Sequence, residues 1–322
     1  MGKVLRKISF REVYEEWLKS KKGELKPSSY VKYRNIVKSY LIGRFGDKDI
    51  RTISYEEVKK HFDKLKMEGG REHMGLADTT RRIIATVIKA IFKYAINKRN
   101  LKAAELCDLK IQCAYKPLRI LSVDEHVALE NECRKNMSKK DLGIILAMYT
   151  GLRIGELCAL KWEDIRFGED VIAVRRTMYR LQTNDQSGKK TEIVEVAPKS
   201  SKSLRDIPIP EILKTTLLNA KKDPKAYVLS GSGKKVEPRR MQYYLKKLTE
   251  KLNLKNVKCH TLRHTFATYC IEFGVDVKTL SAILGHASVQ ITMDRYVHPT
   301  MDMKKKCMDK LAQGLQGKRV AS

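Results

Sequence analysis

The chain reads as two domains: an α-helical N-terminal bundle, then a mainly helical domain that carries a small antiparallel β-sheet (α+β). Three observations predict this. Apolar residues recur at helical spacing through the first hundred positions. That periodicity fails over residues 101–121, which contain Pro117. Beyond it, helical segments bracket a stretch rich in Val and Ile. A length of 322 residues suits about two domains. The boundaries expected are 1–105 for the bundle, 106–121 for a connector and 122–322 for the second domain.

The elements follow in order. In "SFREVYEEWLKS", Phe10, Val13, Trp17 and Leu18 share one helical face, and after Pro27 the residues Tyr33, Ile36, Val37, Tyr40 and Leu41 repeat the spacing. A third helix opens with Ser54 and Glu57 as a capping box and turns Val58, Phe62 and Leu65 inward. A fourth starts from a cap near Asp78, and Ile84, Val87, Ile88, Ile91, Tyr94 and Ala95 form its apolar stripe. In the second domain Ser122 begins another capping box, with helix to about Asn136 and again from 140 to Thr150, where Gly151 stops it. Residues 164–176, 191–197 and 204–209 are expected to form one antiparallel sheet, with "TNDQSGKK" and "PKSSKS" as its turns. Helices resume near 211–220, 237–252, 260–273, 276–284 and 302–313.

Composition narrows the partner. Lys+Arg 66 against Asp+Glu 37 leaves a net charge of +29, far beyond what solubility requires. A polyanion is expected, with nucleic acid first, because neutralising phosphates gives sequence-independent affinity. No membrane partner is expected, since no apolar run reaches 18 residues. The seven cysteines are scattered without a close CxxC pair, which speaks against disulfide or zinc scaffolding. "MGKVLRKISF" lacks the apolar core of a signal peptide, and the reduced cytoplasm is the expected compartment.

Two distant clusters carry the chemistry: Arg153 in "TGLRIGEL", and His260, Arg263, His286 and Tyr296 near the end. Together they suit cutting and rejoining a phosphodiester. Its transition state gathers charge on non-bridging oxygens, and preorganised guanidinium forks stabilise that charge. Arg153 and Arg263 are the candidates for this role. Tyr296 offers a phenol as nucleophile, Lys199 an acid for the leaving oxygen, and His260 and His286 groups that move protons or bind phosphate. His260 and Arg263, at i and i+3, share a helical face. Attack by tyrosine leaves a 3′-phosphotyrosine and a free 5′-hydroxyl, so the step reverses without ATP, metal or cofactor. The chain has neither a GxxxxGK[ST] loop nor a carboxylate cluster for two metal ions.

The segments "TGLRIGEL", "HTLRHTFAT", "LGHAS" and "MDRYVHPT", in that order, resemble the tyrosine recombinase (phage integrase) family, over roughly Ser122 to Gln313. The preceding bundle is similar to that family's core-binding domain. The resemblance implies the tyrosine recombinase catalytic fold and a C-shaped clamp on double-stranded DNA. It also implies a homo-tetramer on two sites, a Holliday junction, and directionality or DNA-bending factors as further partners. The C-terminal helix, with Met301, Met303, Met308 and Leu311, is expected to dock in trans on a neighbour. The family's lysine sits in a β-hairpin turn; Lys199 fits it directly after a strand, with Lys202 the alternative.

Plainer readings stand beside these. Glu156 is expected to orient Arg153, and His264 and His298 to be structural or supporting residues. His61, His73 and His126 are expected on the surface. The biological role expected is integration and excision of a mobile element. The alternatives are a chromosome- or plasmid-dimer (Xer-like) resolvase, a type IB topoisomerase-like strand relaxer, a hydrolase working through a transient phosphotyrosine, or a non-catalytic DNA-binding protein. Because the chain starts almost at the core-binding helices, either an arm-less recombinase or a chain lacking an arm-binding domain is expected.

Overall fold

A computed structural model describes residues 6–70, 74–114, 117–182, 191–198 and 201–297, together with 305, 308, 309, 311 and 312. The chain forms two compact units, Met1–Lys116 and Pro117–Ser322.

The first unit contains α1 (Phe10–Ser20), α2 (Pro27–Tyr40), the single turn α3 (Ile42–Phe45), α4 (Tyr55–Glu68) and α5 (Asp78–Arg99). The apolar stripes converge as their spacing requires. Phe10, Val37, Phe45, Val58, Ile88 and Ile91 are fully buried in one core, each side chain contributing about 1.5–3 kcal/mol relative to exposure. Two caps differ from expectation. The Ser54 hydroxyl accepts from the Glu57 amide, but the Glu57 carboxylate turns outward to Lys48 and Arg44, so only half of the box forms. Ala77, not Asp78, occupies the N-cap of α5; Asp78 is already helical and pairs with Arg81. Leu106 and Leu109, from the stretch expected as a connector, are buried in this same core.

In the second unit, α6 (Val123–Asn136) and α7 (Lys139–Thr150) both start with complete capping boxes, from Ser122 to Glu125 and from Ser138 to Asp141. A short α8 (Ile154–Ala159) follows, then β1 (Ile165–Arg166), β2 (Val171–Val174), β3 (Thr177–Gln182), β4 (Thr191–Val196) and β5 (Arg205–Pro208). The remaining helices are α9 (Glu211–Ala220), α10 (Pro238–Lys251), α11 (Cys259–Glu272), α12 (Val277–Leu284) and α13 (Val289–Tyr296). Leu129, Ile145, Cys158, Leu213, Met241 and Leu262 centre the core of this unit.

The single expected sheet is two sheets. One has the antiparallel order β1-β2-β5, and β3 and β4 form a separate hairpin in register from Thr177↔Val196 to Gln182↔Thr191. The stretch 164–176 breaks at Asp170, whose left-handed φ of 52° reverses the chain between β1 and β2. The expected strand 191–197 pairs, over Thr191–Val196, with β3, a strand the sequence reading passed over. The helices α8, of six residues, and α13 were also unread.

Two histidines expected on the surface are half-buried. His61 Nε2 lies 2.7 Å from the Tyr40 carbonyl oxygen, and its ring stands edge-on to Phe45. His126 lies between the Tyr149 and Tyr269 rings. Burial lowers the pKa of both. His73 and most of the expected helix at 302–313 lie outside the described residues; Met308 and Leu311 are exposed. Among the described residues no helix is long and apolar enough to cross a membrane. Ile145 is fully buried on α7. Ile145→Ala is expected to cost about 2–5 kcal/mol, read from urea unfolding.

Candidate active site

Two left-handed glycines bring the distant clusters together. Gly151 ends α7 at φ 62° and Gly285 ends α12 at φ 63°. A Cβ on Gly151 would stand 2.5 Å from the Phe266 ring, and one on Gly285 3.0 Å from the Arg205 guanidinium, so both turns demand glycine for conformation and for space. The last carbonyls of a helix lack intrahelical partners and carry partial negative charge. Guanidinium groups satisfy them here. Arg263, 4% exposed, donates from Nη1 to the Gly151 carbonyl and from Nη2 to that of Leu284, both at 2.7 Å. Arg153, the N-cap of α8, donates from Nη2 to the Gly285 carbonyl at 2.8 Å.

Glu156, buried on α8, holds this arrangement. Its carboxylate accepts from the Arg153 backbone N–H at 3.0 Å and from Arg153 Nη1 at 2.7 Å. The same carboxylate accepts from Arg205 Nη1 and Nη2 at 3.1 and 2.9 Å. Burial would raise the Glu156 pKa, but the Arg205 hydrogen bonds and the charges of Arg205 and Arg153 more than offset it and leave it lowered. Arg205 is itself buried, and it also donates to the carbonyls of Ser203 and Ile283.

The histidines and the tyrosine complete the cluster. Tyr296, 5% exposed at the end of α13, packs with Ala267, Leu280 and Leu284. Its ring stacks on that of His286, centroids 6.2 Å apart and planes 5° apart. Its Oη lies 2.9 Å from His264 Nδ1. His286 Nδ1 lies 2.8 Å from the hydroxyl of the buried Thr292. His260, on the first turn of α11, is exposed, with its ring 6.0 Å from that of His264. Burial raises the Tyr296 pKa, and the Arg263 and Arg295 charges pull against it. Burial, followed by the surrounding cations, lowers His264 and His286 to about 4.

Of the six residues singled out in the sequence, Arg153, His260, Arg263, His286 and Tyr296 come together, and Lys199 lies outside the described residues, as does His298. Lys202 donates from Nζ to the Ala287 carbonyl at 3.0 Å, next to His286. The sequence reading missed Arg205, Thr292 and the contact of His264 with the phenol. For Arg205 a signal existed. It alternates with Ile207 and Ile209, which places a cation on the buried face of β5, where it needs an anion.

Two outcomes are expected from these contacts. Glu156→Ala leaves the buried Arg205 guanidinium without its carboxylate and should cost about 3–5 kcal/mol in chemical denaturation. The histidines set an acid limit. His264 and His286 titrate near 4 in the fold against about 6.5 when unfolded, so between those values the unfolded chain binds more protons. Their contribution is complete above pH about 6.5 and is lost as pH falls towards 4. The thermal midpoint should drop across that window, and His286→Gln should flatten the slope.

Comparison with known proteins places the chain. The phage integrase family profile matches residues 119–303, and the phage integrase N-terminal SAM-like domain matches residues 9–66. A XerC-like tyrosine recombinase of Caldanaerobacter subterraneus is 28% identical over 312 residues, covering 89% of this chain and 78% of the relative. The ICEBs1 integrase of Bacillus subtilis is 25% identical over 324 residues, covering 95% and 83%. The solved structure of the Tn1549 transposon integrase in complex with a circular intermediate DNA shares the fold, with a TM-score of 0.76 at 22% identity, covering 94% of this chain and 99% of that one. With the family profile spanning more than half of the sequence, the chain belongs to the phage integrase family, the site-specific tyrosine recombinases.

Proposed function

We propose that the chain integrates and excises a mobile element by cutting one DNA strand at a time with Tyr296. The observation that carries this reading is the Tyr296 phenol lying in one buried cluster with Arg263 and His286. Arg153 and Arg263 each spend two N–H groups on the fold. Their remaining donors are assigned to the non-bridging oxygens of the scissile phosphate, where a fork is worth more than a point charge. His286 and His260 are assigned to phosphate binding beside them. Tyr296 Oη attacks phosphorus and passes its proton to a histidine of the cluster, the bond to the 5′-oxygen breaks, and Lys199 supplies the proton to that oxygen. Attack by the 5′-hydroxyl of another strand reverses the step and exchanges partners.

The resemblance to the family supports a tetramer on two DNA sites, a Holliday junction between them, and action in the cytoplasm with accessory directionality factors. Likeness to the ICEBs1 integrase over 95% of this chain supports the attachment site of a mobile element as substrate. The XerC-like relative supports a second reading, resolution of chromosome or plasmid dimers.

Covalent trapping tests both. Nicked duplexes spanning the DNA that flanks the gene are expected to give a protease-sensitive 3′ adduct with the wild-type protein and none with Tyr296→Phe, which should still bind. An adduct in that variant removes Tyr296 from its role. Arg153→Lys should slow adduct formation by about 10²–10³-fold, and near-native cleavage would place the site elsewhere. Adducts at the ends of an element support integration; adducts only at a fixed chromosomal locus support resolution.

A further inference from the structure

α13 carries Thr292 and Tyr296 one turn apart on the same face, and both are buried, Thr292 completely. The His286 imidazole spans them. Its ring lies flat along that of Tyr296, 6.2 Å between centroids, and its Nδ1 stands 2.8 Å from Thr292 Oγ1. A threonine inside a helix commonly turns its hydroxyl back to the carbonyl four residues earlier, as Thr150 does to Leu146 at 2.5 Å. Among the described residues Thr292 makes no such bond, and His286 Nδ1 is the one hydrogen-bond partner of its hydroxyl.

This hydrogen bond has two possible directions, and they differ in cost. With the imidazole proton on Nδ1, the ring donates to Oγ1 and the threonine proton is left without an acceptor in the interior. An unmet buried donor costs more than an ordinary hydrogen bond gains. With Nδ1 bare, the hydroxyl donates to it and no group is orphaned. The second direction prevails. Burial and the surrounding arginines keep the ring neutral at ordinary pH, so its one proton then sits on Nε2. Resting on His286 as a phosphate-binding residue beside the nucleophile Tyr296, we propose that Thr292 is a positioning residue. Its hydroxyl fixes His286 as the Nε2–H tautomer, and the imidazole meets a non-bridging oxygen of the scissile phosphate as a neutral donor.

The carbonyls of Leu284 and Gly285, the two residues before His286, hold the Arg263 and Arg153 guanidinium groups. The imidazole thus adds an uncharged N–H beside two forks, with no further positive charge where cations already crowd. A bare Nε2 would turn a lone pair towards an anionic oxygen and repel it. The same bond also ties the nucleophile's helix to the turn that bears the phosphate ligand. Thr292 and Tyr296 share a face of α13, so the contact that selects the tautomer also seats the tyrosine against His286. Neither Thr292 nor His286 gains or loses a proton in the step.

The test uses the full chain labelled with ¹⁵N-histidine, together with nicked duplexes. The His286 nitrogen signals, identified by their loss in His286→Ala, are expected to show a protonated Nε2 and a bare Nδ1 at neutral pH. Thr292→Ser should keep that pattern, and Thr292→Val, which keeps the shape but lacks the hydroxyl, should lose it. Thr292→Val is expected to bind the duplex and to form the adduct about 10–10²-fold more slowly, with Thr292→Ser recovering most of the rate. In a His286→Ala background Thr292→Val should cost little further, because a residue that acts through the imidazole has nothing left to act on. A general loosening of α13 would lower the rate in both backgrounds. A protonated Nδ1 in the wild type, a wild-type rate in Thr292→Val, or an undiminished loss in the His286→Ala background overturns the proposal. An adduct in Tyr296→Phe overturns the nucleophile but not the tautomer, since the nitrogen signals are read without cleavage.

Discussion

The catalytic unit depends on keeping several guanidinium groups together in a place with little water. Arg153 and Arg205 pair with a single carboxylate, Glu156, whose field also reaches the buried Arg263, and like charges gathered in this way repel strongly when burial lowers the local dielectric. Two features offset the repulsion. Glu156 bridges Arg153 and Arg205, and the unpaired carbonyls ending α7 and α12 accept from Arg263 and Arg153. Helix ends are therefore part of the electrostatics as well as the architecture. Removing one partner would strand a buried charge, so the network specifies the approach of α8, α11, α12 and β5 more than it adds net stability.

The same network explains why both glycine turns are needed. Each guanidinium must reach a carbonyl at a helix terminus, and the chain must then reverse within about one residue. A left-handed C-cap does this, and at Gly285 the Arg205 side chain fills the space a methyl group would take. "TGLR" and "LGH" thus read as one device written twice. A helix stops at glycine, its last carbonyls turn to arginines, and a site residue follows.

Much of this was legible in the sequence because its causes are local. Helical spacing in α1, α4 and α5 and the box at Ser122 follow from neighbouring residues alone. The ordered motifs pointed to Arg153, His260, Arg263, His286 and Tyr296. What escaped was set by long-range pairing. β4 pairs with β3 and leaves β2 to β5, more than 30 residues further along the chain, and the bond between Arg205 and Glu156 joins residues 49 apart in sequence. The contact of His264 with the phenol escaped because it joins residues 32 apart in sequence.

The surplus of positive charge gives the tyrosine and the histidines opposite responses. Cations stabilise phenolate and disfavour imidazolium, so Arg263 and Arg295 draw the Tyr296 pKa down against the effect of burial while they depress His264 and His286. Burial acts oppositely on the pair, raising the phenol and lowering the imidazole, so it is burial first that sets the gap in proton affinity between Tyr296 and His264. The arginines lower both ends of that gap together. An anion held on them would raise both ends in turn, so charge alone leaves the gap nearly unchanged, and the packing that keeps water from the two rings is what holds the phenol protonated.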